Sequence, residues 1–447
     1  MTRWSGRDQL ARPPQRSVRR VGEVPSVPCC SARIAPKVYP ARGPPDEKGA
    51  RFMRLIVATS WEDALLHGLV GLPVSAVFGK LQSDLVGGGR PSSVLPAVDW
   101  EGMTRHIGLA HDLGFRFLYL WNVGTVGDAE YQASFIMQMR EQLQALVRAG
   151  IDGLVVGLPW MIPLAKEVAP QLEVSVSSFV HVDSPREAVQ FEAMGADTII
   201  LHQTSNRDFA LLREIRATVS CDLELIANNS CVYQCPYVCA HQTSPAFHSR
   251  TGSKPVLEYE LFWCAGRYAR DGAEIIRARW IRPEDLGVYE ARGLDRFKIA
   301  GRGRDTAWLL RAARAYAYRT YPGNLTDIIS MSQHAPLSLA RRRAAERDGK
   351  HAAQWAEIAL ELEQVGELTV RNADIPPNFI QYFLKHDCNT LSCRACRYCE
   401  QVGRKVVSGV QSWESGAAPT MPSAQMFEDL IQDSGPSAPT MPAGRRP

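Results

Sequence analysis

Four cysteines crowd into twelve residues near the C-terminus: Cys388, Cys393, Cys396 and Cys399, within HDCNTLSCRACRYC. A second group lies mid-chain, with Cys231, Cys235 and Cys239 close together and Cys264 further on. These are eight of the eleven cysteines. Such spacing suits metal or iron–sulfur ligation better than packing. The mid-chain spacing is C-x3-C-x3-C. Three near thiolates and one distant one are a normal set for a 4Fe–4S cluster, and zinc accepts the same set. The radical S-adenosylmethionine spacing is C-x3-C-x2-C, so that chemistry is not supported. Cys239 as a spectator, and all four as structural thiols of a packed loop, are the bland readings. The C-terminal spacing, C-x4-C-x2-C-x2-C, is sharper. Its C-x2-C-x2-C core is ferredoxin-like, with a zinc knuckle as the alternative. One of its thiols as the missing ligand of the mid-chain group is a further reading.

These residues need elements to position them. Short apolar segments recur at 54–59, 74–79, 116–121, 152–157, 172–178, 196–201, 222–227 and 295–300. Helical stretches fall between them at 99–113, 129–149, 184–194, 206–217 and 305–318. In 129–149, Phe135, Ile136, Met139, Leu143, Leu146 and Val147 recur at three- and four-residue spacing, which marks one buried helix face. Ser184-Pro185 supplies a cap and an N1 proline. Eight strands alternating with helices predict a (β/α)8 TIM-type barrel over 53–320. A doubly wound sheet is the runner-up, but no G-x-G-x-x-G follows the first strand. The crossover 228–294 is a long insertion after strand 7 and carries the mid-chain cysteines. Insertions there sit on the C-terminal face, where barrel active sites lie. Residues 321–411 read as a helical, cysteine-rich module.

That barrel would ring its mouth with polar strand ends: Asn122, Ser177 and Ser178, His202 and Gln203, Asn228 and Asn229. The loop GKLQSDLVGGGRPSS offers three glycines and Arg90 to a substrate. It lacks G-K-[ST] and is no phosphate loop. Lys298 lies inside the eighth strand, with Arg302 and Arg304 after it. A lysine there is costly unless paired or functional. Pairing by Arg282, Glu284 and Asp285 is the bland reading and a functional lysine the other. The expected substrate contacts are Arg90, Asn122, His202, Lys298 and Arg302. Cys221, at a strand start, reads as core.

Net charge is +4, but the first 52 residues carry eleven Arg/Lys against four acids. The body is mildly acidic and gives no global argument for nucleic-acid binding. Residues 1–52 read as a disordered basic, Pro-rich extension, with Cys29 and Cys30 given no role. Residues 412–447, with APTMP twice and MFEDLIQ as a short helix, read as a disordered tail. No run suits a membrane helix and no apolar segment follows Arg19-Arg20. Clustered thiols without an export signal predict a reducing, cytoplasmic setting. H-E-x-x-H and G-x-S-x-G are both absent. A cysteine nucleophile with His202, His241 or His248 remains formally open.

The segment IRPEDLGVYEARGLDRFKIAGR (281–302) and the stretch LELIANNSCVYQCP resemble the collagenase-like peptidase family, family U-thirty-two. The resemblance spans about 53–320. It implies a barrel with a cysteine-ligated 4Fe–4S cluster at its mouth, with Cys231, Cys235 and Cys264 matching the family positions. Relatives serve oxygen-independent hydroxylation in ubiquinone biosynthesis and hydroxylation of RNA bases. The expected activity is therefore an iron–sulfur-dependent, hydroxylase-like oxidoreductase acting on a small molecule or RNA base, with an electron donor. The alternatives are a peptidase, or a non-catalytic metal-bound partner of a related barrel protein.

Overall fold

The computed structural model describes residues 52–92, 95–251, 259–330, 340–341, 344–345, 349–410, 413, 421–423 and 426. The readings for 1–51 and for nearly all of 412–447 lie outside these residues. Eight parallel strands close into a barrel in sequence order: β1 (Arg54–Ala58), β2 (Val74–Gly79), β3 (Arg116–Trp121), β4 (Gly153–Val156), β5 (Glu173–Val176), β6 (Thr198–Leu201), β7 (Asp222–Ile226) and β8 (Arg296–Ile299). Closure pairs Arg54 with Arg296 and Ile56 with Lys298. This is the predicted (β/α)8 barrel, with every strand in its predicted segment.

The helices between strands are α1 (Asp63–Leu69), α2 (Trp100–Asp112), α3 (Ala133–Arg148), α4 (Met161–Val168), α5 (Pro185–Ala193) and α6 (Phe209–Thr218). Caps set several starts. Asp99 accepts the Gly102 amide, and Ser184 accepts that of Glu187. Two starts differ from the sequence reading. Residues 129–131 form a 3-10 turn, so α3 begins only at Ala133. Asp208 caps α6 through the Leu211 amide, and 203–207 is another 3-10 turn. Helices α1 and α4 were not foreseen. Pro163 hides α4, yet it sits in the first turn, where its missing N–H costs nothing.

The insertion folds as α7 (Val238–Thr251), α8 (Tyr259–Arg270), α9 (Glu274–Arg277) and α10 (Leu286–Glu290), before β8 and α11 (Thr306–Ala317). Beyond the barrel, helix Gly349–Glu367 packs on α8, with Trp355 edge-on to Phe262. A two-stranded ribbon, Thr369–Val370 with Val407–Ser408, frames helices Phe379–Lys385, Cys393–Cys396 and Tyr398–Val406. Cys221 is buried in the core, as read, and burial pushes its thiol up to about 12.

The pleat decides what faces inward. Alternate residues of β7 and β8 put Asp222, Glu224, Arg296 and Lys298 on the barrel axis, while Leu223, Leu225, Phe297 and Ile299 meet the helices. The lower barrel is therefore ionic. Arg296 donates to Glu224 Oε2 at 2.7 Å and to Glu173 Oε1 at 2.7 Å. Arg116 reaches Glu173 Oε2 at 2.6 Å, and Arg54 reaches Asp222 at 2.6 Å. Two arginines hold the Glu173 carboxyl below its usual range against the opposing effect of burial.

Candidate active site at the barrel mouth

Above the ionic layer the barrel opens into two chambers of about 490 and 330 Å³. They share Arg90, Asn229, Cys231, His241 and Ser330 among their described walls. The smaller chamber is the barrel bore itself. Its floor is the last inward residue of successive strands: Phe78, Leu120, Val155, Ile200, Ile226 and Lys298. Asn122, Ser177, Ser178 and Gln203 add polar groups above it, as the strand-end reading expects. Asn228 departs from that reading. It is fully buried and braces β8, donating to the carbonyls of Ala300 and Ile328 and accepting the Ala300 amide.

Three cationic side chains face the bore: Arg90, Lys298 and Arg302, with Arg304 beside them. The predicted Lys298 partner is corrected here. Lys298 pairs with Glu224 at 3.2 Å and lies 4.1 Å from the Phe78 ring centroid. Arg282 instead pairs with Asp285 at 2.9 Å in the neighbouring shell, because it precedes α10 rather than facing the bore. Burial lowers the Lys298 pKa despite Glu224. Burial, then Arg90, pushes Arg302 down to about 9. The Arg302 Nη1 is buried without a hydrogen-bond partner among the described residues. An anion in the bore would satisfy it.

The glycine loop explains how Arg90 gets there. The amides of Gly87, Gly88 and Gly89 are each taken by a side chain: Asp84 at 2.5 Å, Ser249 at 2.9 Å and Asn122 at 3.1 Å. Gly87 has φ +87, and a Cβ at Gly89 would stand 2.3 Å from Phe179 Cε2. Asp84 is itself held by the Tyr119 hydroxyl at 2.6 Å and by buried Lys80 at 3.3 Å. The sequence reading found the loop but not this anchor. The separation of Lys80, Asp84, Tyr119 and Ser249 along the chain hid it.

The larger chamber carries the thiols. Cys231, Cys235 and Cys264 line it, together with His181, His202 and His241. Cys231 lies in the segment just beyond β7, its amide capped by Asn229 Oδ1 at 2.7 Å. Pro236 keeps 233–237 out of helix, and Cys239 then rides α7, exposed and on neither chamber wall. Burial raises the Cys235 thiol to about 11 and raises Cys231 and Cys264 as well. His202 stacks on His181 at 4.1 Å and is pushed down to about 3 by burial and by that neighbour. Burial, then Arg90, takes His241 down to about 4. Both imidazoles are neutral near pH 7.

No group of three or more His, Cys, Asp or Glu is already drawn into metal-holding geometry among the described residues. The donor chemistry of Cys231, Cys235 and Cys264 nonetheless fits a thiolate-held centre. They are three free thiols on one wall, each close enough to another to raise a pKa. The C-terminal thiols Cys388, Cys393, Cys396 and Cys399 form a separate group beyond Tyr233. The module also reaches the chamber through Asn389, which donates to Asp208 and accepts the Tyr233 hydroxyl at 2.8 Å. Thr59, His106 and Asp63 make a hydroxyl–imidazole–carboxylate series, but none lines either chamber. His202 meets Thr204 and Gln203, not a carboxylate.

Fold and site together define a (β/α)8 barrel with a cationic bore and a thiol-lined rim. The sequence matches Peptidase family U32 over residues 96–321, and the chain belongs to that family. It is 27% identical over 325 residues to "Uncharacterized protease MJ1657" of Methanocaldococcus jannaschii, covering 72% of this chain and 86% of the relative. Among solved structures it is similar to "The Structure of the U32 Peptidase Mk0906", at 18% identity and TM-score 0.44, covering 57% of this chain and 94% of the other. It is also similar to "Native KDPGal structure", at 13% identity and TM-score 0.35, covering 60% and 93%. Among the described residues no helix is long and apolar enough to cross a membrane.

Proposed function

We propose that this protein is an enzyme that binds an anionic organic substrate in the bore and modifies it beside an iron–sulfur centre on the rim. One observation carries the reading. Arg90 and Cys231 line both chambers, so the cationic pocket and the thiol wall are one continuous space. Arg90, Arg302 and Lys298 would hold the anionic group, with Asn122 and His202 orienting the polar remainder. Cys231, Cys235 and Cys264 would hold the centre, and three thiolates leave one position of a four-site cluster for another ligand. When bound, such a centre supplies one-electron redox chemistry. The favoured reaction is hydroxylation without molecular oxygen. It takes oxygen from a donor such as water and passes two electrons and two protons to an external acceptor.

The test is anaerobic purification of the full chain, with iron and sulfide analysis beside Cys231→Ala. A brown protein that loses one cluster on substitution supports the reading. A colourless wild type holding only zinc rejects it. The second reading, a peptidase, draws on family membership and on the protease naming of the archaeal relative. Cleavage of a peptide library that survives a chelator, but not alkylation of one cysteine, would favour it.

A further inference from the structure

The C-terminal thiols stand beside two buried positive charges. Arg207, at the end of the 3-10 turn 203–207 that follows β6, is 2% exposed. Its guanidinium donates to the carbonyls of Ile276 and Trp280 and lies over the rings of Trp280, Phe379 and Phe383. Arg279 is 4% exposed, lies 3.8 Å from the Tyr233 ring centroid, and is close enough to the Cys388 thiol for the two to interact electrostatically. Neither forms an ion pair with Asp or Glu among the described residues. Their neighbours do: Arg277 with Asp271 at 2.6 Å, and Arg282 with Asp285 at 2.9 Å. Among the described residues the Nε of Arg207 and of Arg279 is also without a hydrogen-bond partner. A buried charge left unpaired costs several kcal/mol, so native folds pair it. Around these two guanidiniums the groups of opposite potential charge among the described residues are the thiols Cys388 and Cys399 and, beside Arg207, the Asp285 carboxylate that already pairs with Arg282. Cys393 and Cys396 belong to the same group, with the Tyr382 hydroxyl 3.0 Å from Cys396 Sγ.

We propose that Cys388, Cys393, Cys396 and Cys399 hold a second, net dianionic thiolate centre whose charge is matched by Arg207 and Arg279. Four thiolates around Zn2+, or around a 4Fe–4S core of charge +2, both sum to −2. Loading zinc releases four thiol protons and draws the free thiols together. The centre is distinct from the chamber group and independent of the reaction assigned to the mouth. It has a structural consequence: Asn389 follows Cys388 directly, so loading fixes the chamber wall that Asn389 makes with Tyr233 and Asp208.

The experiment uses the full chain with Cys231, Cys235 and Cys264 all replaced by Ala, which removes the chamber thiols. Metal and sulfide are measured after anaerobic purification, and the apoprotein is titrated with Co2+. One zinc without sulfide, or four iron with four sulfide, together with intense d–d bands of tetrahedral Co2+–thiolate, supports the proposal and tells the two sources apart. No retained metal and no such bands overturn it. Adding Cys393→Ser and Cys396→Ser should abolish the bands; bands that persist overturn the ligand set. Arg279→Met, with its far-UV circular dichroism preserved, should weaken Co2+ binding about 10–100-fold, as loss of an outer partner does. Unchanged affinity overturns the charge match.

Discussion

The Lys298 ammonium inside β8 lies 3.2 Å from the Glu224 carboxylate of β7, and both are almost wholly buried. The same carboxylate takes Arg296 through its other oxygen at 2.7 Å. One acid on β7 thus serves two cations on β8, with Glu173 as a second partner of Arg296. It also sets the height at which Lys298 enters the bore, against the Phe78 ring.

Glu224→Gln keeps the shape and removes the charge. Two buried cations then lose their shared partner, and removing one member of a buried pair costs about 3–5 kcal/mol. The expected result is a urea midpoint shifted down by that free energy with an unchanged slope. A shift under about 1 kcal/mol would contradict the compensating role.

Arg302 should contribute to anion binding, because its buried Nη1 lacks a partner among the described residues. Inorganic phosphate serves as the probe. Arg302→Ala removes a charge-assisted hydrogen bond worth about 1.5–3 kcal/mol. Calorimetry should therefore show phosphate affinity reduced at least about tenfold, with the fold intact. Equal affinity in wild type and variant would remove Arg302 from the site.

Gly89→Ala tests the loop separately. The added Cβ meets the Phe179 ring at 2.3 Å, so the loop or the ring must move. Arg90, the next residue, moves with the loop. Phosphate binding should weaken, since the strain falls on the buried glycine loop that places Arg90 and not on the ionic layer below. A variant that binds normally would show that Arg90 is not placed by this loop.

His106 makes stability depend on pH. Burial pushes its pKa down to about 4, with Arg105 also lowering it and Asp63 opposing, and its Nε2 is 2.7 Å from the Thr59 hydroxyl. The unfolded value is near 6.5. Between these values the unfolded chain binds the proton and the folded chain does not. The contribution is thus fully present above about pH 6.5 and is lost as pH falls toward 4. The span corresponds to at most about 3 kcal/mol. His106→Gln should flatten the denaturation midpoint against pH in that window. An unaltered slope would sink this assignment.

The barrel was legible because its signals are local. Alternating strands, Ser184 as a cap, and the face of α3 each lie within a few residues. Arg90, Asn122, His202, Lys298 and Arg302 could be named because strand ends of a barrel converge by construction, and all five line the chambers. Cysteine spacing likewise marked both thiol groups. Pairing across the chain was not legible. Lys298 was assigned to Arg282, Glu284 and Asp285 by nearness in sequence, whereas strand register gives it Glu224, 74 residues away. The Asp84–Tyr119–Lys80 anchor, and the meeting of Arg207 and Arg279 with Cys388 and Cys399, depend on the same kind of closure. The sequence alone determined which residue types were present and the period that folds them into strands and helices. Tertiary structure decided which charges share a carboxylate and which guanidiniums are left facing thiols. Buried charge is compensated through space, over a few ångströms, and that distance bears no relation to separation along the chain.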